Sequence, residues 1–376
     1  MIAPMVRVLD GDGTIGTAST ADVIWVYRRR RRQWLEEWQR GEGSSEFFYG
    51  LLSLRDRYRV GFVEDEGRAP FARAWYPFER LIARRLGMGF ALDLALRNLA
   101  GLNRARIVIS TVDACGLPLA FLKAAGLLKT PLIYISQGLS DRVATYGADR
   151  WLTRRYRRFL LGAEELLTLS AGAQTSLAAW LGVPSGRVRV LPFGADCDFW
   201  RNTAPPERRA GPIVSVGSDA GRDYGTLLAA VDDLPLHIVT TLPVAVDGRA
   251  NVTTTTTHTS TELRDIYSGS RFLVLPLHDR SQPSGQSTAL QAMACGAATV
   301  LTRTRGWWGE AHLRDGENCV LVPPGRVDAL RDAIRRLWDD PDYCAAMGAR
   351  ARQTVVEHFA EPRMASILDG LVSAHL

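Results

Sequence analysis

No uninterrupted apolar run in the 376 residues is long enough to cross a bilayer. The longest candidate, Leu117 to Leu128, is short and carries Lys123. The opening stretch, MIAPMVRVLDGDG, lacks the apolar core of a secretory signal. Cysteine is scarce. Cys115, Cys197, Cys295, Cys319 and Cys344 are odd in number, scattered and without metal-ligand spacing. That argues against a disulfide framework or a zinc cluster and for free thiols in a reducing compartment. No internal repeat of fixed period appears. The expectation is a cytoplasmic protein, at most peripheral to the inner face of a membrane.

Hydrophobic residues make up 46% of the chain and charged residues 23%, a globular balance. The length suits two domains. Short apolar runs alternate with helical patterns. In the first half the strand candidates are Asp22–Tyr27, Val60–Glu64, Arg106–Ser110, Pro131–Ser136, Glu165–Ser170 and Val188–Leu191. Helices are expected over Phe78–Ala100 and Ala171–Leu181. A proline- and charge-rich break around Asn202–Gly211 reads as a linker, after which the alternation restarts. The fold class is α/β, with two Rossmann-like domains whose parallel sheets bind ligands beyond the carboxyl ends of their strands.

The formal charge is +6, and arginines cluster at Arg28–Arg32 and at Arg154, Arg155, Arg157 and Arg158. Each cluster reads either as a solvated face or as a surface for an anionic partner, membrane lipid or phosphorylated acceptor. No recognition-helix, zinc-finger or stacking-aromatic signature accompanies them, so nucleic acid is not expected.

Two loops carry phosphate chemistry. SGQSTALQAMACG, Ser284–Gly296, reads as a helix starting at Ser287 or Thr288 and stopped by Gly296. Its Ser-Gly-Gln approach suits an anion at a helix N-terminus, with Gly285 admitting close approach and Ser284, Ser287 and Thr288 offering hydroxyls. VSVGSDAGRDYGTLL, Val214–Leu228, places Gly217, Gly221 and Arg222 between a strand and a helix, again a diphosphate arrangement. Each alone is also an ordinary capped loop; two in one domain carry more weight.

The ordered segments VGS…GRDYGTLLAA, ELRDIYSGSRFLVLPL, SGQSTALQAMACGAATVLT and DGENCVLVPPGRVDALRDAI resemble the donor domain of family-four glycosyltransferases, which are retaining enzymes of the GT-B fold. LPFGADCDFW resembles the element closing their first domain. The resemblance covers Glu165 onward and is thin before Pro131. It implies a nucleotide diphosphate sugar donor, UDP- or GDP-linked, a hydroxyl acceptor on a saccharide, lipid or small molecule, and no cofactor or obligatory metal. It further implies an acceptor-binding domain over 1–200, a donor domain over 201–355 and a helix over 356–376 packing back on the first domain. The family's paired glutamates fall at Pro283 and Gln291, neither of them glutamate. Gln291 takes the ribose position, Arg222 the diphosphate cation, the uncharged Ser218 a second cation position, and Gln137 that of a first-domain histidine. Ser284, Gly285, Gln286, Ser287 and Thr288 would cradle the distal phosphate and sugar.

Weaker candidates complete the reading. Asp113 follows a strand and either orients an acceptor hydroxyl or caps a helix. Glu310, after Trp307 and Trp308, either faces the sugar or is a surface charge. His258 and Thr259 end a strand, where backbone groups read a nucleobase or simply turn. His312 has no evident partner. Asp10–Asp12 and Asp196–Asp198 match an Asp-x-Asp metal clamp, but the pattern is common by chance. The expected catalytic residues are therefore Arg222, Asp113 and Gln137, with Gly217 and Ser218 on the donor side. The activity that the resemblance implies is glycosyl transfer; an epimerase or hydrolase on the same fold, or a non-catalytic sugar-nucleotide binder, are the alternatives.

Overall fold

The computed structural model describes residues 6–16, 20–65, 76–147, 150–203, 210–246, 248–256, 258–309 and 311–376. The chain divides into two compact units. The first comprises Met1–Gln39, Phe47–Pro192 and Met364–Leu376, the second Arg40–Glu46 and Phe193–Arg363.

The first unit is a seven-stranded sheet. Its strands are β1 (Arg7–Val8), β2 (Val23–Tyr27), β3 (Val60–Glu64), β4 (Ile107–Ser110), β5 (Leu132–Ser136), β6 (Glu165–Thr168) and β7 (Val188–Val190), in the order β1-β3-β2-β4-β5-β6-β7. All neighbours are parallel except β1, which runs antiparallel to β3 at the edge. Every residue of β2, β4 and β5 is buried, as a sheet covered by helices on both faces requires. The helix expected over Phe78–Ala100 is two, Tyr76–Leu86 and Leu92–Leu102. Gly87, in the left-handed region (φ +60°), ends the first of them.

The second unit is a six-stranded, all-parallel sheet. Its strands are β8 (Ile213–Val216), β9 (Leu236–Val239), β10 (Val252–Thr255), β11 (Leu273–Leu275), β12 (Thr299–Thr302) and β13 (Val320–Val322), in the order β10-β9-β8-β11-β12-β13. From β8 the chain steps outward through β9 to β10, then returns to β11 and proceeds the other way. Beyond the carboxyl ends of β8 and β11 the sheet therefore has its topological switch point, where flanking loops diverge and leave a crevice.

Within LPFGADCDFW, Leu191 and Pro192 close the first unit and Phe193–Trp200 pack with the second. The Ala195 N–H donates to the Phe359 carbonyl (2.7 Å) and the Glu361 N–H to the Ala195 carbonyl (2.8 Å). The final helix is Glu361–His375. Its Asp369 accepts from the Tyr58 hydroxyl (2.7 Å). Among the described residues, no helix is long and apolar enough to cross a membrane.

Candidate donor site

The loops after β8 and β11 meet at the second unit's switch point. β8 ends at Val216 and passes into Gly217, whose backbone (φ +146°) leaves no room for a side chain: an added Cβ would lie 2.1 Å from Arg222 Nε. The Arg222 guanidinium therefore lies flat against the glycine. It is only 6% exposed. Nε donates to the Val216 carbonyl (3.2 Å), Nη1 to Ser284 Oγ (3.3 Å) and Nη2 to Thr288 Oγ1 (3.4 Å). The Tyr224 hydroxyl donates to the Gly217 carbonyl (2.5 Å) and fixes the turn from the other side.

The helix from the second loop runs Gln286–Ala294, one or two residues earlier than its hydroxyls suggest. Its N-cap is Gly285 in the left-handed conformation (φ +73°), with no side-chain cap. Ser284 and Thr288 do not cap because both face Arg222. Gly296 follows the helix in the left-handed region (φ +78°), as the sequence suggests.

One carboxylate occupies this cradle. Asp219 Oδ2 lies 2.9 Å from Arg222 Nη1, and Oδ1 accepts from Ser284 Oγ (2.6 Å) and from the Gly221 N–H (2.9 Å). Cation, hydroxyl and peptide N–H converge on a single anion, which is the donor set a phosphate oxygen uses. Asp219 was not singled out in the sequence, although its place three residues before Arg222 is visible there.

Gln291 is buried at 7% exposed, and its Nε2 donates to Glu46 Oε1 (2.9 Å). Glu46, in the short segment belonging to the second unit, is fully buried and also accepts from Trp200 Nε1 (2.9 Å) and Ser44 Oγ (2.9 Å). Burial pushes its carboxyl above the ordinary value, while the hydrogen bonds from Gln291 and Trp200 pull the other way. No sequence signal links Glu46 to Gln291 across 245 residues.

Thr259 caps the helix Ser260–Gly269. Its hydroxyl accepts from the Glu262 N–H (3.2 Å) and its N–H donates to Glu262 Oε2 (2.6 Å), so both groups serve the capping box. His258 Nε2 pairs with Thr255 Oγ1 (2.7 Å). Ser218 Oγ accepts from the Thr241 N–H (2.8 Å). Gln286 is buried and Ser287 half-buried at the helix start. Glu310 lies outside the described residues. Trp307 is buried beside Trp308, with ring centroids 5.5 Å apart. His312 stacks on His358 at 3.9 Å.

In the first unit, Asp113 begins the helix Asp113–Ala124 after β4. It is buried, and its oxygens accept from the Tyr134 hydroxyl (2.7 Å), the Gln137 N–H (3.0 Å) and the Gly138 N–H (2.9 Å). Burial raises its carboxyl above the ordinary range, against the bonds from Tyr134 and Ser136. With Ser136 as a fourth donor, Asp113 ties down the loop after β5. Gln137 likewise spends its amide hydrogens on the Tyr49 hydroxyl (2.6 Å) and the Thr111 carbonyl (2.6 Å).

The arginine clusters differ in kind. Arg31 is buried, its guanidinium 4.8 Å from the Tyr27 ring centroid and 4.2 Å from that of Trp34. Arg28 pairs with Asp65. The first cluster is thus partly internal. Arg154, Arg155, Arg157 and Arg158 are all exposed.

Two parallel α/β units, the second with a glycine-led anion cradle at its switch point, define a GT-B glycosyltransferase architecture. The family profile described as Glycosyl transferases group 1 matches residues 226–340, and Glycosyltransferase Family 4 matches residues 51–199. The chain is thus similar to family 4 glycosyltransferases over most of its first unit and to group 1 glycosyltransferases over much of its second. Glycogen synthase of Mycobacterium tuberculosis is 27% identical over 245 residues, which are 60% of this chain and 56% of the relative. The chain thus spans about half the length of the curated relative it matches. Among solved structures, Anabaena HepE in complex with UDP-glucose superposes with a TM-score of 0.67 at 12% identity, covering 94% of this chain and all of that one (100%). Sucrose-phosphate synthase from Thermosynechococcus elongatus gives 0.60 at 20% identity, covering 75% and 78%.

Proposed function

We propose that the protein moves a sugar from a nucleoside diphosphate sugar to a hydroxyl acceptor with retention of configuration and without a required metal. The observation that carries this reading is the convergence of Arg222, Ser284 and the Gly221 N–H on one carboxylate. A diphosphate takes that place by displacing the Asp219 side chain, which is 48% exposed and swings into water at little cost. The Arg222 guanidinium and the first N–H groups of the helix Gln286–Ala294 then meet the charge on the departing diphosphate. The same helix begins beside Gly285, where the distal phosphate and sugar approach the backbone. The Gln291 amide, held through Nε2 by Glu46, turns its carbonyl oxygen to a ribose hydroxyl. The structural neighbour solved with UDP-glucose and the relative described as a glycogen synthase support a sugar-nucleotide donor of this kind.

Calorimetric titration with UDP, GDP and their glucose conjugates tests the reading. Binding of at least one diphosphate is expected. Arg222→Ala should weaken it by about 1.5–3 kcal/mol, the worth of a charge-assisted contact. Unchanged affinity in a folded Arg222→Ala protein would remove the diphosphate from this cradle. Turnover of the donor with no hydroxyl acceptor present would favour a hydrolase or epimerase instead.

A further inference from the structure

A cavity of about 540 Å³ opens on the surface of the first unit, lined by residues of the helices Tyr76–Leu86 and Trp151–Leu160 and by Tyr146 and Arg150. Phe78, Leu81, Ile82, Trp151 and Leu152 make its apolar wall. Phe78 is 42% exposed, Leu81 52% and Trp151 65%. One such side chain at a surface is ordinary; three around one groove form a patch of the kind that marks an interaction site. Arg85 and Arg150 stand at the rim. Trp151, Arg154, Arg155 and Arg158 follow the i, i+3, i+4, i+7 spacing that puts side chains on one helical face. The Arg155 guanidinium lies 5.3 Å from the Trp151 ring centroid. The helix Trp151–Leu160 has four arginines and no acid; Tyr76–Leu86 has three arginines and the single acid Glu79.

We propose that this face docks on an anionic lipid bilayer. Phe78, Leu81 and Trp151 enter the boundary between headgroups and acyl chains, where an indole's amphipathic ring is favoured. The groove admits part of an acyl chain. The arginines flanking it pair with lipid phosphates, which they bind in bidentate geometry. Charge complementarity selects this occupant over a second copy of the chain. A two-fold interface would press the same arginine rim against itself, whereas an anionic surface neutralises it.

The inference does not depend on sugar transfer, and its test needs neither donor nor acceptor. The full chain is floated with vesicles of phosphatidylcholine alone and of phosphatidylcholine with phosphatidylglycerol. Association with the anionic vesicles only, weakening as salt is raised, is the expected result. Trp151→Ser with Leu81→Ser should release the protein from them. The triple variant Arg154→Gln, Arg155→Gln, Arg158→Gln should weaken partitioning about a hundredfold, near fivefold per charge removed. Its changes are on exposed side chains, so it decides the question even if the apolar variant fails to fold. Equal flotation with both vesicles, flotation with neither, or an arginine variant that partitions like the parent overturns the proposal. So does a parent that self-associates through this groove, seen as a smaller species in gel filtration only when Trp151 and Leu81 are replaced.

Discussion

Gln291 shows how one substitution is absorbed by a distant residue. The family resemblance puts a glutamate at this position, and the sequence alone invites the view that restoring it would be harmless. The structure argues the opposite, because the Gln291 amide donates to the fully buried Glu46 carboxylate. Gln291→Glu would set two carboxylates against each other in a site whose burial already opposes charge. We expect it to destabilise the fold by about 3–5 kcal/mol, the scale of an uncompensated buried charge. The double change Glu46→Gln with Gln291→Glu restores one acid and one amide and should recover most of that loss. Urea unfolding of the two single variants and the double one measures the coupling. Additive losses would mean that the pair does not act as a unit. Gln291→Leu, which strips Glu46 of a donor, should cost about 1–3 kcal/mol instead of leaving the fold untouched.

The helix Gln286–Ala294 was legible in its length and stop, and misread at its start. Hydroxyl residues are usual N-caps, so Ser287 and Thr288 drew the boundary inward. Two features invisible to pattern reading moved it. Gly285 accepts the left-handed conformation, and Arg222 arrives from another loop to claim Ser284 and Thr288. A pair of glycines separates conformation from space. Gly285 (φ +73°) and Gly41 (φ +72°) share the same backbone strain on substitution. A Cβ on Gly41 meets nothing within 4 Å, whereas one on Gly285 lies 2.6 Å from Leu275 Cδ2 and 3.0 Å from Arg222 Nη1. Gly41→Ala should therefore cost about 1–2 kcal/mol, the left-handed penalty alone. Gly285→Ala should cost about 1–3 kcal/mol more through overpacking and weaken nucleotide binding by displacing Arg222. Equal losses in denaturant midpoint would show that the crowding at Gly285 is relieved. The neighbouring loop yields a gain. Asp219→Ala removes the carboxylate that competes for the cradle and should tighten diphosphate binding by about 1 kcal/mol, the upper range for a solvent-screened pair. Weaker binding in calorimetry would make Asp219 a supporting residue, not a competitor.

Across the whole molecule, strand–helix alternation revealed both sheets, since fully buried strands such as VIWVY and LIYIS are nearly continuous apolar runs. The glycine and arginine of the donor loop were legible because their chemistry is local. Asp113 and Gln137 were visible as polar residues after strands, but their bonding partners, and Glu46 altogether, come from remote segments. The edge strand β1, two residues long, has no period to read.

These remote contacts also set how stability answers to pH. Burial raises the Glu46 carboxyl above its ordinary value of 4.5. The folded form therefore holds that proton more tightly than the unfolded chain does. Its favourable contribution is complete below pH 4.5 and is lost as pH rises through the raised folded value. His312 behaves oppositely. Desolvation, then the neighbouring His358, lower its pKa below the ordinary 6.5. The unfolded chain takes up that proton first, so stability falls as pH drops from 6.5 through the lowered value. His312→Phe keeps a ring for the stack on His358 while removing the titration, and Glu46→Gln keeps an acceptor for Trp200 while removing the acid. Relative to the parent, between pH 4.5 and 6.5, His312→Phe should flatten the loss toward acid and Glu46→Gln the loss toward neutrality. The two stability differences should thus change with pH in opposite directions. The histidine effect should be the smaller of the two, because solvent still screens that ring. Urea midpoints across this interval decide it. Parallel pH profiles for both variants and the parent would mean that neither group's proton is coupled to folding.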